Sequence, residues 1–314
     1  MRGAFYRLRV RINTALPASF HAASPAEEGR LIEPVTTVVI ATRDRRASLL
    51  RTLDRLADLP ERPPLVVVDN ASSDGTGDAV RERHPRATVI ELRQNLGAVA
   101  RTIGAERATT PLVAFSDDDS WWAPGALLRG ARHFAAHPRL VLLAARIIVA
   151  PGGTEDPTCG LMAASPLERH PDLPGPTVLG FVACGAIVRR EAFLAVGGFD
   201  PRLVFVAEER MLAIELAARG LGLAYAPDVV AYHHPSPARE RGRHRRLEAR
   251  NRLWIAWLRR PLDGALRETA SALLSVRDRD TLAGIAAAAR GVPWVVRARD
   301  PVSRELERDL RRLL

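Results

Sequence analysis

Three consecutive carboxylates, Asp117-Asp118-Asp119, directly follow the apolar run Val113-Ala114-Phe115-Ser116. Strand side chains alternate between faces, so a strand continued through these residues sends Asp117 and Asp119 to one side and Asp118 to the other. Two carboxylates about 4 Å apart repel by roughly 4 kcal/mol at an effective dielectric near 20. Such a pair is splayed into water, is partly protonated, or holds a cation. The same residues also suit a solvated turn ahead of a helix, because Asp and Ser favour helix N-termini and Ala123-Pro124 can open one. A second pair of acids, Glu208-Glu209, heads a helical run to Arg219, where the helix dipole favours negative charge. His233-His234 ends a strand-like run that begins at Gly222, and Trp121-Trp122 offers either a stacking platform or ordinary packing.

Whether these residues meet depends on the elements that carry them. Val35–Thr42 and Leu65–Val68 are β-branched, continuous apolar runs that read as buried strands. Thr88–Leu92 and the run after Pro111 read as two more. Between them lie helical patterns: Asp44–Asp58 with Leu49, Leu50, Leu53 and Leu56 on one face, Ser72–His84 behind a capping stretch, and a helix that Asn95 caps. Four strand-helix units in succession predict an α/β fold with a doubly wound, mostly parallel sheet covered on both faces. Ligands of such sheets collect at the carboxyl ends of the strands. Thr42, Asp69 and Asp117 each end a strand and are expected to converge there. Further along, Ala126–His137 reads as a helix and Leu140–Val149 as a strand; Pro151–Pro176 reads as a long loop and Thr177–Val188 as strand-like again.

Several chemistries are excluded by what is missing. No Gly-x-Gly-x-x-Gly follows the first strand, and no Gly-x-Ser-x-Gly nucleophile elbow occurs. The chain has no lysine, so a Gly-Lys-Ser/Thr phosphate loop is impossible and any phosphate chemistry must rely on arginine and a metal.

The formal charge of +10 invites a nucleic-acid or anionic-surface reading. With every fixed cation an arginine and Ala, Leu, Gly and Pro abundant, it reflects GC-rich codon bias better than function, and no nucleic-acid partner is expected. Cys159 and Cys184 form neither a disulfide framework nor a zinc motif, which fits a reducing, cytoplasmic setting. Arg146 interrupts the run Val141–Ala150, and no apolar stretch approaches a membrane span. Residues 1–33 read as a frayed basic extension, and 236–314 as a basic linker and helical appendage. Within that appendage, Arg239–Arg252 packs seven arginines among two glutamates, suited to a solvated helix or to an anionic ligand. Leu253–Leu258 suits packing on the main domain, or a peripheral contact at the inner face of the plasma membrane.

The ordered set Val39–Asp44, Val68–Thr76, Asn95-Leu96-Gly97, Asp117-Asp118-Asp119, Gly185–Arg190, Val196–Asp200, Glu208-Glu209 and Pro227–His233 resembles the family 2 glycosyltransferases, which have the GT-A fold. The likeness covers about Pro34 to Pro235, taken as the glycosyltransferase domain. It implies an inverting transfer of sugar from a nucleotide-diphosphate donor to an acceptor hydroxyl, in bacterial glycan or glycoconjugate synthesis. By the same resemblance Thr42, Arg43, Asp69, Asn95, Asp117 and Asp118 bind the donor nucleotide, and Asp117, Asp119 and His233 hold Mg²⁺ or Mn²⁺. Glu209 stands where the family has its base, with Glu208 in reserve, and Trp121 and Trp122 are acceptor candidates. This chain departs from the family where Met211 replaces a second acidic residue. A sugar-phosphate nucleotidyltransferase, which wants glycines after the first strand, and a catalytically idle scaffold or anionic-surface binder are the competing readings.

Overall fold

The computed structural model describes residues 34–235 and 241–313. The expectation for residues 1–33 and the start of the basic linker fall outside them.

Four strands build the half of the sheet that positions the site: β1 (Thr36–Thr42), β2 (Leu65–Asp69), β3 (Thr88–Glu91) and β4 (Leu112–Ser116), in the order β3-β2-β1-β4 and parallel throughout. The valines and isoleucine of β1 and β2 are almost fully buried, as a sheet covered on both faces requires. One layer holds α1 (Arg46–Ala57) and α2 (Thr76–Arg83), whose Leu49, Leu53, Leu56 and Val80 pack with Val38, Ile40, Trp122 and Phe134. The other holds α3 (Val99–Arg107), whose Ala100 and Ala105 join Val39, Val68, Phe115, Phe193 and Phe199. Gly104 lets α3 settle on the sheet, since a Cβ there would stand 2.3 Å from Val39 Cγ1.

Beyond β4 the sheet becomes mixed. β8 (Ala186–Arg189) runs antiparallel to β4 and to β6 (Leu140–Val149), β9 (Gly222–His233) is parallel to β6, and the short β5 (Ser120–Trp122) closes the edge antiparallel to β9. Trp121-Trp122 is therefore strand rather than the approach to a helix. The helix α4 (Ala126–Ala136) follows after a left-handed Gly125. The segment expected to be a bare loop contains the two-residue strand β7 (Thr154–Glu155) and α5 (Pro157–Ala163), which Asp156 caps on Thr158 N–H. Thr177–Val188 is mostly irregular: one bridge from Thr177 to Ala224 and a 3₁₀ turn at Ala183–Gly185 precede β8.

After α6 (Arg190–Ala195), α7 (Glu208–Ala217) buries Met211, Leu212 and Ile214. Among the described residues five helices follow: α8 (Arg241–Arg259), α9 (Leu262–Leu274), α10 (Arg279–Arg290), α11 (Val292–Ala298) and α12 (Arg304–Arg312). They pack on the main domain through a core in which Leu203, Met211 and Ile214 meet Ile255, Leu258, Val295 and Leu306. Three arginines of the basic segment are engaged in this packing: Arg245 pairs with Asp278 at 3.2 Å, Arg252 pairs with Glu268, and Arg250 binds main-chain carbonyls, while Arg243 and Arg246 are exposed. Among the described residues no helix is long and apolar enough to cross a membrane.

Candidate active site

β4 stops at Ser116, and the aspartates form a turn in which Ser120 Oγ accepts from Asp117 N–H at 2.7 Å. Strand alternation therefore does not extend to them, and the expected division of the three is corrected. Asp118 faces inward, accepting from the Thr42 hydroxyl at 3.1 Å with Arg45 Nε at 3.4 Å. Asp119 shares that arginine at 3.2 Å and lies 3.4 Å from His233 Nε2. Asp117 instead pairs with Arg101 of α3. Burial pushes the Asp118 carboxyl up to about 7, against the pull of Arg45, while the two neighbouring aspartates add to the rise.

Arg101 is the link to the second acidic pair. It is buried, with its other guanidinium nitrogen 3.9 Å from Glu208 Oε1. Burial disfavours its charge, but Asp117 and then Glu208 outweigh that cost and hold it ionised. Glu208 is almost wholly enclosed, and its Oε2 has no hydrogen-bond partner among the described residues. Burial, reinforced by Glu209, lifts it to about 8. Glu209 is half-buried and also raised by burial, a rise that nearby backbone N–H groups and the Arg101 charge partly offset. The resulting site spans two acidic clusters joined by one buried guanidinium.

The other strand ends supply loop architecture. Asp69 accepts from Ser72 N–H at 2.9 Å, a side-chain bond three residues on that closes the loop after β2. Asn70 ties this loop to the one after β3, accepting from Leu96 N–H at 2.7 Å and donating to Gly97 O at 3.0 Å. Asn95 is exposed and accepts from Gly97 N–H; α3 itself starts at Val99 rather than at Asn95. Arg43 is exposed beside Asp44. A cavity of about 500 Å³ opens against Arg45, lined also by Arg46, Ser48, Arg51, His234 and Pro235.

Trp122 is completely buried in the core, so it has no face to offer an acceptor, and that expectation is corrected. Trp121 stacks on Tyr232 at 5.6 Å, with the Arg55 guanidinium 3.6 Å above its ring. Arg45, Arg101 and Asn70 are the functional-site residues that sequence reasoning passed over.

The backbone carries a further signal. Of six non-glycine residues at positive φ among the described residues, Asp44 and Ala71 follow β1 and β2, while Val204, Val206 and Ala207 precede Glu208. Each such residue costs on the order of 1–3 kcal/mol, and such strain gathers at functional sites.

The family model for glycosyl transferase family 2 matches residues 37–197 of this sequence, a span that contains the aspartate turn, Arg101 and every strand end described above except that of β9. The chain belongs to that family. This glycosyltransferase is 27% identical over 279 residues to the N-acetylglucosaminyl-diphospho-decaprenol L-rhamnosyltransferase of Mycobacterium tuberculosis, an alignment covering 74% of this chain and 89% of the relative. A validoxylamine A glucosyltransferase of Streptomyces hygroscopicus is 42% identical over 91 residues, covering 27% of this chain and 20% of that protein. Among solved structures, the mannosyltransferase of Pyrobaculum calidifontis in complex with GDP-Man and Mn²⁺ superposes with a TM-score of 0.57 at 21% identity, over 90% of this chain and 86% of that one. Staphylococcus aureus TarS 1-349 in complex with UDP-GlcNAc gives 0.54 at 16%, over 82% and 73%. These likenesses show the GT-A fold, with the helical C-terminal region as an addition to it.

Among the described residues no three His, Cys, Asp or Glu side chains form a metal cage by themselves. The donor chemistry at Asp119 and His233 nevertheless fits a hard cation that takes few protein ligands and completes its shell with phosphate oxygens and water. Their carboxylate and imidazole lie 3.4 Å apart, beside the arginine-lined cavity.

Proposed function

We propose that this glycosyltransferase moves a sugar from a nucleotide-diphosphate donor to an acceptor hydroxyl with inversion at the anomeric carbon. The observation that carries the reading is the pairing of two carboxylate clusters across Arg101: Asp117-Asp118-Asp119 on one side, Glu208-Glu209 on the other. The donor nucleotide is assigned to the loops after β1 and β2, where Thr42, Arg43, Asp69 and Asn70 cluster, with Asn95 beside them. In the adjoining cavity Arg45, Arg46 and Arg51 outnumber Asp44 and Asp74, leaving the excess positive charge that a diphosphate needs. Asp119 and His233 would hold Mg²⁺ or Mn²⁺, which when bound neutralises charge developing on the departing nucleoside diphosphate.

Inversion requires a base on the face of the sugar opposite the leaving group. Glu209 is assigned that role because it retains solvent access, whereas Glu208 is enclosed and held neutral near pH 7 by its surroundings. Glu209 would take the acceptor hydroxyl proton as that oxygen bonds to the anomeric carbon and the diphosphate leaves with the bonding pair.

Calorimetric titration of UDP, GDP and dTDP, with and without Mn²⁺, tests the donor half. At least one nucleotide is expected to bind more tightly with Mn²⁺, and Asp119→Ala to abolish that enhancement. Nucleotide affinity indifferent to both the metal and the substitution would sink the assignment.

For the acceptor, the mycobacterial relative is named for a diphospho-decaprenol substrate. A lipid-linked acceptor is proposed here too, supported by α9, where Leu262, Leu266 and Leu273 lie exposed along one face with Arg267 alongside, and Leu274 is 89% exposed. The full chain is expected to co-sediment with vesicles containing anionic lipid, and the double substitution Leu273→Ser, Leu274→Ser to weaken this. Equal recovery of both proteins in the supernatant would remove the membrane from the proposal.

A further inference from the structure

The segment Leu203–Ala207 reaches the head of α7 in a conformation that ordinary side chains disfavour, with φ at 63° for Val204, 72° for Val206 and 65° for Ala207. Two of these residues are β-branched, for which the left-handed region is least tolerant. The compensation comes from outside the segment. Asn251 of α8, fully buried, donates its side-chain amide to the carbonyls of Leu203 at 2.9 Å, Phe205 at 3.0 Å and Val206 at 2.6 Å. Arg250 holds that amide in place, with Nε donating to Asn251 Oδ1 at 2.9 Å, and binds Leu203 O itself at 3.0 Å. From the opposite side Ala98 N–H donates to Val204 O at 2.7 Å. Gly97 is so close that a Cβ there would stand 2.0 Å from the same oxygen.

We infer that Asn251 is a positioning residue for catalysis: by clamping Leu203–Ala207 in its strained form, it makes the C-terminal helices part of the active site they do not line. The inference rests on the reading of Glu209 as the base. The helix that bears Glu209 begins where the clamped segment ends, so its first turn takes its position from that backbone. Without the amide, the carbonyls of Phe205 and Val206 lose this donor, Leu203 O is left to Arg250 and Phe205 N–H, and the valines relax toward negative φ, carrying the first turn with them. The strand ends and the aspartate turn do not pass through this segment, and the donor-side loop after β3 meets it at Gly97 and Ala98. Asn251 therefore acts on turnover rather than on donor binding.

The test uses the full chain and measures nucleoside diphosphate release from a panel of UDP-, GDP- and dTDP-sugars with Mn²⁺, water serving as acceptor. Asn251→Ala is expected to lower kcat by about 10- to 100-fold, the scale of a misplaced reacting group, with the donor KM unchanged. Adding Val206→Gly should recover part of the loss, because glycine adopts positive φ without the steric cost. Hydrogen exchange, which needs no donor, should show faster exchange of the amides of residues 203–212 in Asn251→Ala but not of those of β1. Should Asn251→Ala fail to fold, Asn251→Ser, which keeps one donor, is read in the same way. An unchanged kcat together with unchanged exchange overturns the inference, and so does a loss that Val206→Gly leaves untouched. Glu209→Gln in the same assay separates the two readings: retained release would remove the base assignment, while the effect of Val206→Gly still decides whether Asn251 acts through the segment.

Discussion

Glu209→Gln is expected to cut sugar transfer by roughly two to four orders of magnitude, the range general-base catalysis contributes, while Mn²⁺-dependent nucleotide binding persists. The amide preserves shape and polarity but cannot take the proton of the attacking hydroxyl. Glu209 is suited to the task because burial raises its pKa while it keeps a partly exposed position at the head of α7. A base whose pKa approaches the working pH abstracts a proton more effectively than a fully solvated glutamate. Steady-state kinetics with the same sugar donor for wild type, Glu209→Gln and Glu208→Gln decide the matter. Turnover surviving in Glu209→Gln but lost in Glu208→Gln would move the base to the enclosed residue.

The parallel half of the sheet was legible because its strands are continuous β-branched runs, and this pattern survives any loop chemistry between them. Thr42 and Asp69 do end adjacent strands, and Asp117 directly follows the end of a third. The aspartate register was not legible from alternation alone, since one hydrogen bond from Asp117 N–H to Ser120 Oγ turns the chain just past Ser116. Ser120 three residues after Asp117 was the available signal for that turn. Arg45 and Arg101 were hidden for a compositional reason: where every fixed cation is arginine, the two at the candidate site carry no contrast. Arg101 could have been found from its place four residues after Gly97, on the turn of α3 that faces the end of β4. Asn251 gave no signal at all, because its partners are main-chain carbonyls about 45 residues upstream, whose side chains say nothing of the bond. Trp122 was misjudged through proximity in sequence, since the strand formed by Ser120–Trp122 directs alternate side chains to opposite sides and buries this one.

Glu208→Gln is expected to change how stability depends on pH. Glu208 titrates at about 8 in the folded protein, against an ordinary value of 4.5. Between those values the folded state binds the proton more tightly than the unfolded chain does, so the group's contribution is complete below pH 4.5 and is lost as pH rises toward 8. Each pH unit crossed removes about 1.4 kcal/mol for an isolated group, so from pH 5 to 8 the loss reaches at most about 4 kcal/mol. Glu209 and Asp118, both raised by burial, act in the same direction. His84, lowered by burial, acts in the opposite one, which is why the informative quantity is the difference between variant and wild type at each pH. Urea unfolding from pH 5 to 8.5 should show wild type losing stability relative to Glu208→Gln, with the gap widening up to about pH 8. Parallel curves would mean that Glu208 stays ionised and is a full ion-pair partner of Arg101. In the expected case Arg101 serves Asp117 first, and the enclosed, neutral Glu208 lets one buried cation balance the donor-side carboxylate without drawing charge away from the base.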